Sequence, residues 1–115
     1  MRIGYVNVAV TDFARALSFY QDTLGLRLRF ADEDFGYASF DAGSVHLAIV
    51  RDPDNAGRHT GIGLVVDDLD EAHVRLAARG VRFTQEPERQ PWGGYMALIA
   101  DPDRNVFYLD EVAHD

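Results

Sequence analysis

The sequence predicts an α+β fold of two βαβββ modules, with curled mixed sheets around a concave pocket and helices on the convex face. Three observations carry that reading. Runs with strand-like alternation and helix-like spacing follow one another in the order β-α-β-β-β. The same order then occurs a second time, and turns containing glycine and aspartate separate the short runs.

The opening run "YVNVAV", residues 5–10, alternates so that Val6, Val8 and Val10 share one face and Tyr5, Asn7 and Ala9 the other. In "TDFARALSFYQDTLG", residues 11–25, Phe13, Leu17, Tyr20 and Leu24 recur at helical spacing, with Thr11 or Asp12 placed to cap the helix and Gly25 to end it. "LRLRF", "GYASF" and "VHLAIV" then read as strands, separated by the acidic "ADED" and the turn "DAGS". In the second half "GIGLVV" is a strand, and "DDLDEAHVRLAARG" a helix with a capping box from Asp68 to Glu71 and a stop at Gly80. "VRFTQ", "GYMALIA" and "NVFYLD" complete the set as strands.

The two halves align. Val10 matches Val66 at an offset of 56, and Ala48 matches Tyr108 at an offset of 60. This duplication divides the chain into a first module at 1–50, a polar linker at 51–59 and a second module at 60–115, together one compact domain. Val45, Leu47, Ile49, Ile62, Leu64, Val66, Phe107 and Leu109 form the apolar sides that the helices cover. On the opposite sides stand His46, Ala48, Gly61, Gly63, Tyr108 and Asp110. Small and polar residues on a concave sheet face line a pocket, and the two glycines make room in it. Matching the third strands at the same offset of 60 sets Tyr37 opposite Ala97 and Ser39 opposite Ile99, with Tyr95 sharing the parity of Ala97. Tyr5, Tyr37, Tyr95 and Tyr108 then look into the concave face, with Asn7, His46 and Asp110 as polar handles.

Composition removes several functions. The 115 residues include no cysteine, so disulfides, thiolate metal sites and cysteine nucleophiles are excluded. A formal charge of -8 repels phosphate backbones and anionic lipid surfaces, so no nucleic acid or membrane partner is expected. No apolar run approaches the length of a membrane span, and the first residues do not read as a leader peptide; a soluble, cytoplasmic protein is the expectation. His73 reads as a half-exposed helix residue and His114 as part of a frayed tail.

Paired βαβββ modules with "FYQDTLGL" after the first strand and "DPDRN" before the last resemble the vicinal oxygen chelate superfamily: glyoxalases, bleomycin-resistance proteins and extradiol dioxygenases. The resemblance implies the fold across nearly the whole chain and leaves the chemistry open, because this fold hosts several reactions as well as plain binding. Its enzymes hold a divalent metal with one His, Gln or Glu from each of four strand positions, which align here with Tyr5, Ala48, Gly61 and Tyr108. None of these is an ordinary ligand for such an ion, so no metal, no cofactor and no catalytic residue is assigned. His46, His59 and Asp110 lie two residues from lost ligand positions and are the candidates for a displaced metal site. In the turn "DPDRN", Arg104 replaces the family's usual glycine, so either Asn105 takes the left-handed conformation or the turn type differs.

The metal-free members that the chain resembles are bleomycin-resistance-like binding proteins, with "FADEDF" at 30–35 and "RQPWG" at 89–93 as the local points of similarity. The resemblance makes Trp92 a ligand-stacking residue, against a loop anchor as the plain alternative; Asp32, Glu33 and Asp34 are either charge partners or a solvated turn. The expected function is metal-independent binding or sequestration of a small aromatic compound, a cation being favoured by Asp110 and the net charge. The expected ligand-binding set is Tyr5, Asn7, Tyr37, His46, Trp92, Tyr95, Tyr108 and Asp110. The alternative is a lyase, isomerase or dioxygenase with a displaced metal, or metal-free acid/base chemistry using His46, Asp110 and a tyrosine. A homodimer is the expected assembly, because two short modules leave sheet edges and apolar surface for a partner to cover.

Overall fold

The computed structural model describes residues 1–113; His114, read above as part of a frayed tail, lies outside the described residues. The chain forms two compact units, Met1–Arg58 with Pro102–Asn105, and His59–Asp101 with the residues from Val106 on. In the first, strand β1 (Tyr5–Val10) leads through helix α1 (Phe13–Ser18) to β2 (Arg27–Asp32), β3 (Tyr37–Ala42) and β4 (Val45–Arg51). The sheet runs β1-β4-β3-β2, with β1 parallel to β4 and the other pairs antiparallel. The second unit repeats the pattern with β5 (His59–Val66), α2 (Leu69–Ala78), β6 (Arg82–Arg89), β7 (Tyr95–Ala100) and β8 (Val106–Glu111), in the sheet order β5-β8-β7-β6. Asn7 pairs with Ala48 and Gly63 with Tyr108, so the first and last strands of the two sheets repeat in the same register.

The helices begin where a short acceptor side chain can satisfy an orphaned N–H group. Asp12 is extended and accepts from the Arg15 amide, so it is the cap, while Thr11 donates to Asp103 through both its amide and its hydroxyl. α1 widens into a π-helical turn at Phe19–Thr23 and ends at Gly25, whose φ of 78° suits a residue without Cβ. Asp68 caps α2 by accepting from the Glu71 amide at 3.1 Å. The return half of the expected capping box is replaced: Glu71 pairs with Arg75 Nε at 2.9 Å, and Glu111 Oε1 accepts from the Leu69 amide.

Each helix covers one face of its own sheet. Phe13, Ala16, Phe19 and Tyr20 are buried with Val8, Val10, Phe40, Leu47 and Ile49, and the Tyr20 and Phe40 rings lie 6.1 Å apart. Leu69, Ala72 and Leu76 of α2 are buried, as are Ala97, Ile99, Phe107 and Leu109 of their sheet. Each large side chain removed from water this way contributes about 1.5–3 kcal/mol.

The third strands correct one expectation. Antiparallel partners share a face, and Ala97 pairs with Leu109 and Ile99 with Phe107, so Tyr95, Ala97 and Ile99 lie on the helix-covered side. Leu98, not Ala97, pairs with Tyr108 on the open side. Ser39 pairs with Ala48 as Leu98 pairs with Tyr108, so these strands match at an offset of 59 rather than 60. One residue of slip exchanges the two faces of a strand. Tyr37 and Ser39 do stand on the open side, opposite Val50 and Ala48.

The turn before β8 belongs to the first unit, and Arg104 itself takes the left-handed conformation at φ 68°, which neither alternative anticipated. Buried Asn105 holds the turn in place: its Nδ2 donates to Ala9 O at 2.8 Å, and its Oδ1 accepts from the Gly57 and Arg58 amides. Among the described residues no helix is long and apolar enough to cross a membrane.

Candidate functional site

Each sheet has a second face that its helix does not cover. On the first sheet this face carries Tyr5, Asn7, Tyr37 and His46, which the pairings Tyr5–His46, Asn7–Ala48 and Tyr37–Val50 bring to one side. Tyr5 is 62% exposed, and Phe30 stacks on Tyr37 with ring centres 5.9 Å apart. Asp41 lies between Arg27 and Arg29 of β2, at 3.9 and 3.8 Å, and the His46 ring of β4, whose Nε2 is 3.9 Å away.

On the second sheet, Tyr108 and Asp110 occupy alternate positions of β8 on the side away from Phe107 and Leu109. They line an open cavity of about 780 Å³ together with Arg89, Trp92, Tyr95 and Met96. Trp92 projects from a tight turn closed by hydrogen bonds between Gln90 and Gly94 and between Gly93 and Gln90. The indole is 75% exposed, and a Cβ on Gly94 would stand 2.8 Å from its Nε1, so a glycine there lets the ring lie over the backbone. Gly63 makes room as expected, its missing Cβ facing Asp110 Oδ2 at 3.2 Å. Gly61 serves the backbone instead: nothing crowds its Cβ position, but its φ of 71° places it in a bulge of β5, where its amide donates to His59 Nδ1. The His59 ring lies 4.9 Å from that of Tyr108.

Tyr95 borders the cavity from the opposite parity, so its expected position beside Tyr108 on the open face is corrected. Its hydroxyl donates to Asp70 of α2 at 2.6 Å, and the Arg89 guanidinium lies 4.5 Å from its ring centre. The hydrogen bond to Asp70 raises the Tyr95 pKa, with desolvation acting in the same direction. Partial burial raises the Asp110 pKa above the ordinary 3.8, because desolvation disfavours the carboxylate. Arg89 and Met96 were not among the residues expected from sequence, since the pairing of Arg89 with Tyr95 and that of Met96 with Asp110 bring them to the cavity.

The remaining candidates are local. Asp32 Oδ1 accepts from the Phe35 amide and Arg51 Nη2 donates to Glu33 O, so the acidic segment forms an exposed turn braced by Arg51. His73 is partly buried on α2 with its ring 4.6 Å from Phe83. The donors present do not fit a chelated divalent ion. Tyr5, Ala48, Gly61 and Tyr108 occupy the four aligned positions, the carboxylate nearest His46 is already faced by two guanidinium groups, and His59 Nδ1 is occupied by a backbone amide. Among the described residues no three His, Asp or Glu side chains converge.

Fold and open faces together define a duplicated βαβββ protein with an aromatic-lined cavity. The chain belongs to the Glyoxalase/Bleomycin resistance protein/Dioxygenase superfamily, whose profile matches residues 2–109. It is 30% identical over 112 residues to a bleomycin resistance protein of Klebsiella pneumoniae, an alignment covering 90% of this chain and 86% of that one. A crystal structure of a superfamily member from Sphaerobacter thermophilus superposes with a TM-score of 0.86 at 32% identity, over 97% of this chain and 98% of the other. TnmS3, an antibiotic binding protein from Streptomyces sp. CB03234, superposes with a TM-score of 0.84 at 28% identity, over 98% and 97%.

Proposed function

We propose that this protein binds and sequesters a small aromatic compound, cations being favoured, without a metal, as a cytoplasmic homodimer. One observation carries the reading: Trp92, Tyr108 and Asp110 surround a single cavity of a size suited to a small molecule. The aromatic rings supply apolar contact, the Tyr108 hydroxyl a hydrogen bond, and the carboxylate attraction for positive charge. The similarity to a bleomycin resistance protein and to an antibiotic binding protein supports binding over turnover. The absence of ordinary ligands at Tyr5, Ala48, Gly61 and Tyr108 supports independence from metal.

A thermal-shift screen of aromatic cations and bleomycin-type glycopeptides tests the proposal. A ligand present at 100 times its dissociation constant stabilises the fold by about 2.7 kcal/mol. Affinities that Trp92→Ala and Tyr108→Ala leave unchanged would overturn the cavity assignment.

A further inference from the structure

The open face of the first sheet holds a second, differently charged constellation centred on Arg29, a residue that the proposed function does not use. Its Nη1 donates to Ser39 Oγ at 2.9 Å, and Ser39 is only 3% exposed, so this contact is fixed from below by the sheet. Its Nε lies 3.8 Å from Asp41 Oδ1, a looser ion pair at the surface. The bond to buried Ser39 restricts the rotamer freedom that a surface arginine ordinarily keeps. Among the described residues the Nη2 group meets no acceptor, so its N–H donors remain available on a partly exposed guanidinium. Beside the guanidinium lies the Phe30–Tyr37 pair, stacked at 5.9 Å with 27° between the ring planes, and Arg29 itself is 5.7 Å from the Phe30 centroid. The pair is placed by a bulge in β2: the pairing shifts between Leu28–Phe40 and Phe30–Ser39, and so brings Phe30 to the same face as Tyr37.

A held guanidinium with unused donors matches a planar oxyanion, and adjacent rings match an aromatic body attached to it. We propose that this face is a recognition site for an aromatic carboxylate, with Arg29 binding the carboxylate and the stacked Phe30–Tyr37 pair giving the ring apolar contact. Asp41 lies beside both Arg27 and Arg29, and Asp32, the partner of Tyr37, adds a second carboxylate to this face, so the preference for an anion rests on the free donors of Arg29 and not on the net charge of the face. All the residues of this site belong to the first unit.

The test is a titration of the isotopically labelled protein with 2-naphthoate, 2-naphthamide and 2-naphthylmethylammonium, read from the NMR shifts of the Phe30 and Tyr37 rings and of the Arg29 side chain. The expected result is saturable shifts at these three residues, with naphthoate bound about tenfold or more tighter than the amide. Arg29→Gln is expected to equalise acid and amide. Arg29→Lys, which keeps the charge and the aliphatic stem, is expected to lose most of the preference because the fork is gone. Equal affinity for all three probes in the wild type, or a carboxylate preference that survives both substitutions, would overturn the proposal. A failed cavity around Trp92 would show instead as cationic probes leaving tryptophan fluorescence unchanged.

Discussion

Gly63 and Asp110 face each other across β5 and β8, and a Cβ on Gly63 would stand 3.2 Å from Asp110 Oδ2. The carboxylate keeps its place on the open face because the neighbouring strand has no side chain there. Gly63 is not among the positive-φ glycines, so alanine fits its backbone and reduces the freedom of the unfolded chain. Gly63→Ala is expected to leave Tm unchanged or slightly raised while weakening binding of aromatic cations, because the carboxylate must move aside. Calorimetric titration of wild type and variant with one cation from the screen checks both halves.

Asp110 sets a pH dependence. Its folded pKa lies above its ordinary value of 3.8, so the folded state holds the proton more tightly than the unfolded state. The charged form therefore costs stability at neutral pH, and the cost begins to fall as pH drops to that raised pKa and is gone below the ordinary value of 3.8. Asp110→Asn is expected to be more stable than wild type at pH 7 and to converge with it under acid conditions, as read by urea unfolding at both pH values. Cation affinity of the wild type is expected to fall over the same acid range.

Arg104 and Asn105 act in opposite directions. Arg104 holds a left-handed φ of 68° that a side chain disfavours, so Arg104→Gly is expected to stabilise by about 0.5 kcal/mol after the added freedom of the unfolded chain is counted. Asn105→Ala leaves the Gly57 and Arg58 amides and the Ala9 carbonyl without this partner and is expected to cost at least about 2 kcal/mol. Urea midpoints of the two variants should move apart from that of the wild type.

The proposed homodimer is checked by sedimentation velocity at micromolar concentration. Exposed Ile3, Tyr5, Phe35, Val65 and Val112 supply apolar surface for a second copy to cover. The expected species has twice the chain mass, and a monomer alone would contradict it.

Much of the fold was legible because local and global signals agree. Asp12 and Asp68 are short acceptors at the starts of amphipathic runs, and both cap helices. Alternation in "NVFYLD" placed Tyr108 and Asp110 away from Phe107 and Leu109, as the pairing with β7 requires. The third strand of the second half was not legible in the same way. Tyr95, Met96, Ala97 and Leu98 are all compatible with either face, so only pairing to β8 decides, and the slip to an offset of 59 reversed the parity. The stacking of Phe30 on Tyr37 depends on a bulge that leaves no mark in "LRLRF". Arg104 illustrates a third limit: an arginine at positive φ violates a local rule, and the contacts of Asp103 and Asn105, far apart in sequence from their partners, hold it there.

The central claim, a metal-free aromatic cavity, is tested most directly by titrating bleomycin into the protein in the presence of a strong chelator while following the fluorescence of Trp92, the chain's single tryptophan. The expected result is saturable quenching that persists in the chelator and is lost in Tyr108→Ala. A fluorescence signal that does not change, that needs added divalent metal, or that survives Tyr108→Ala undiminished would contradict it.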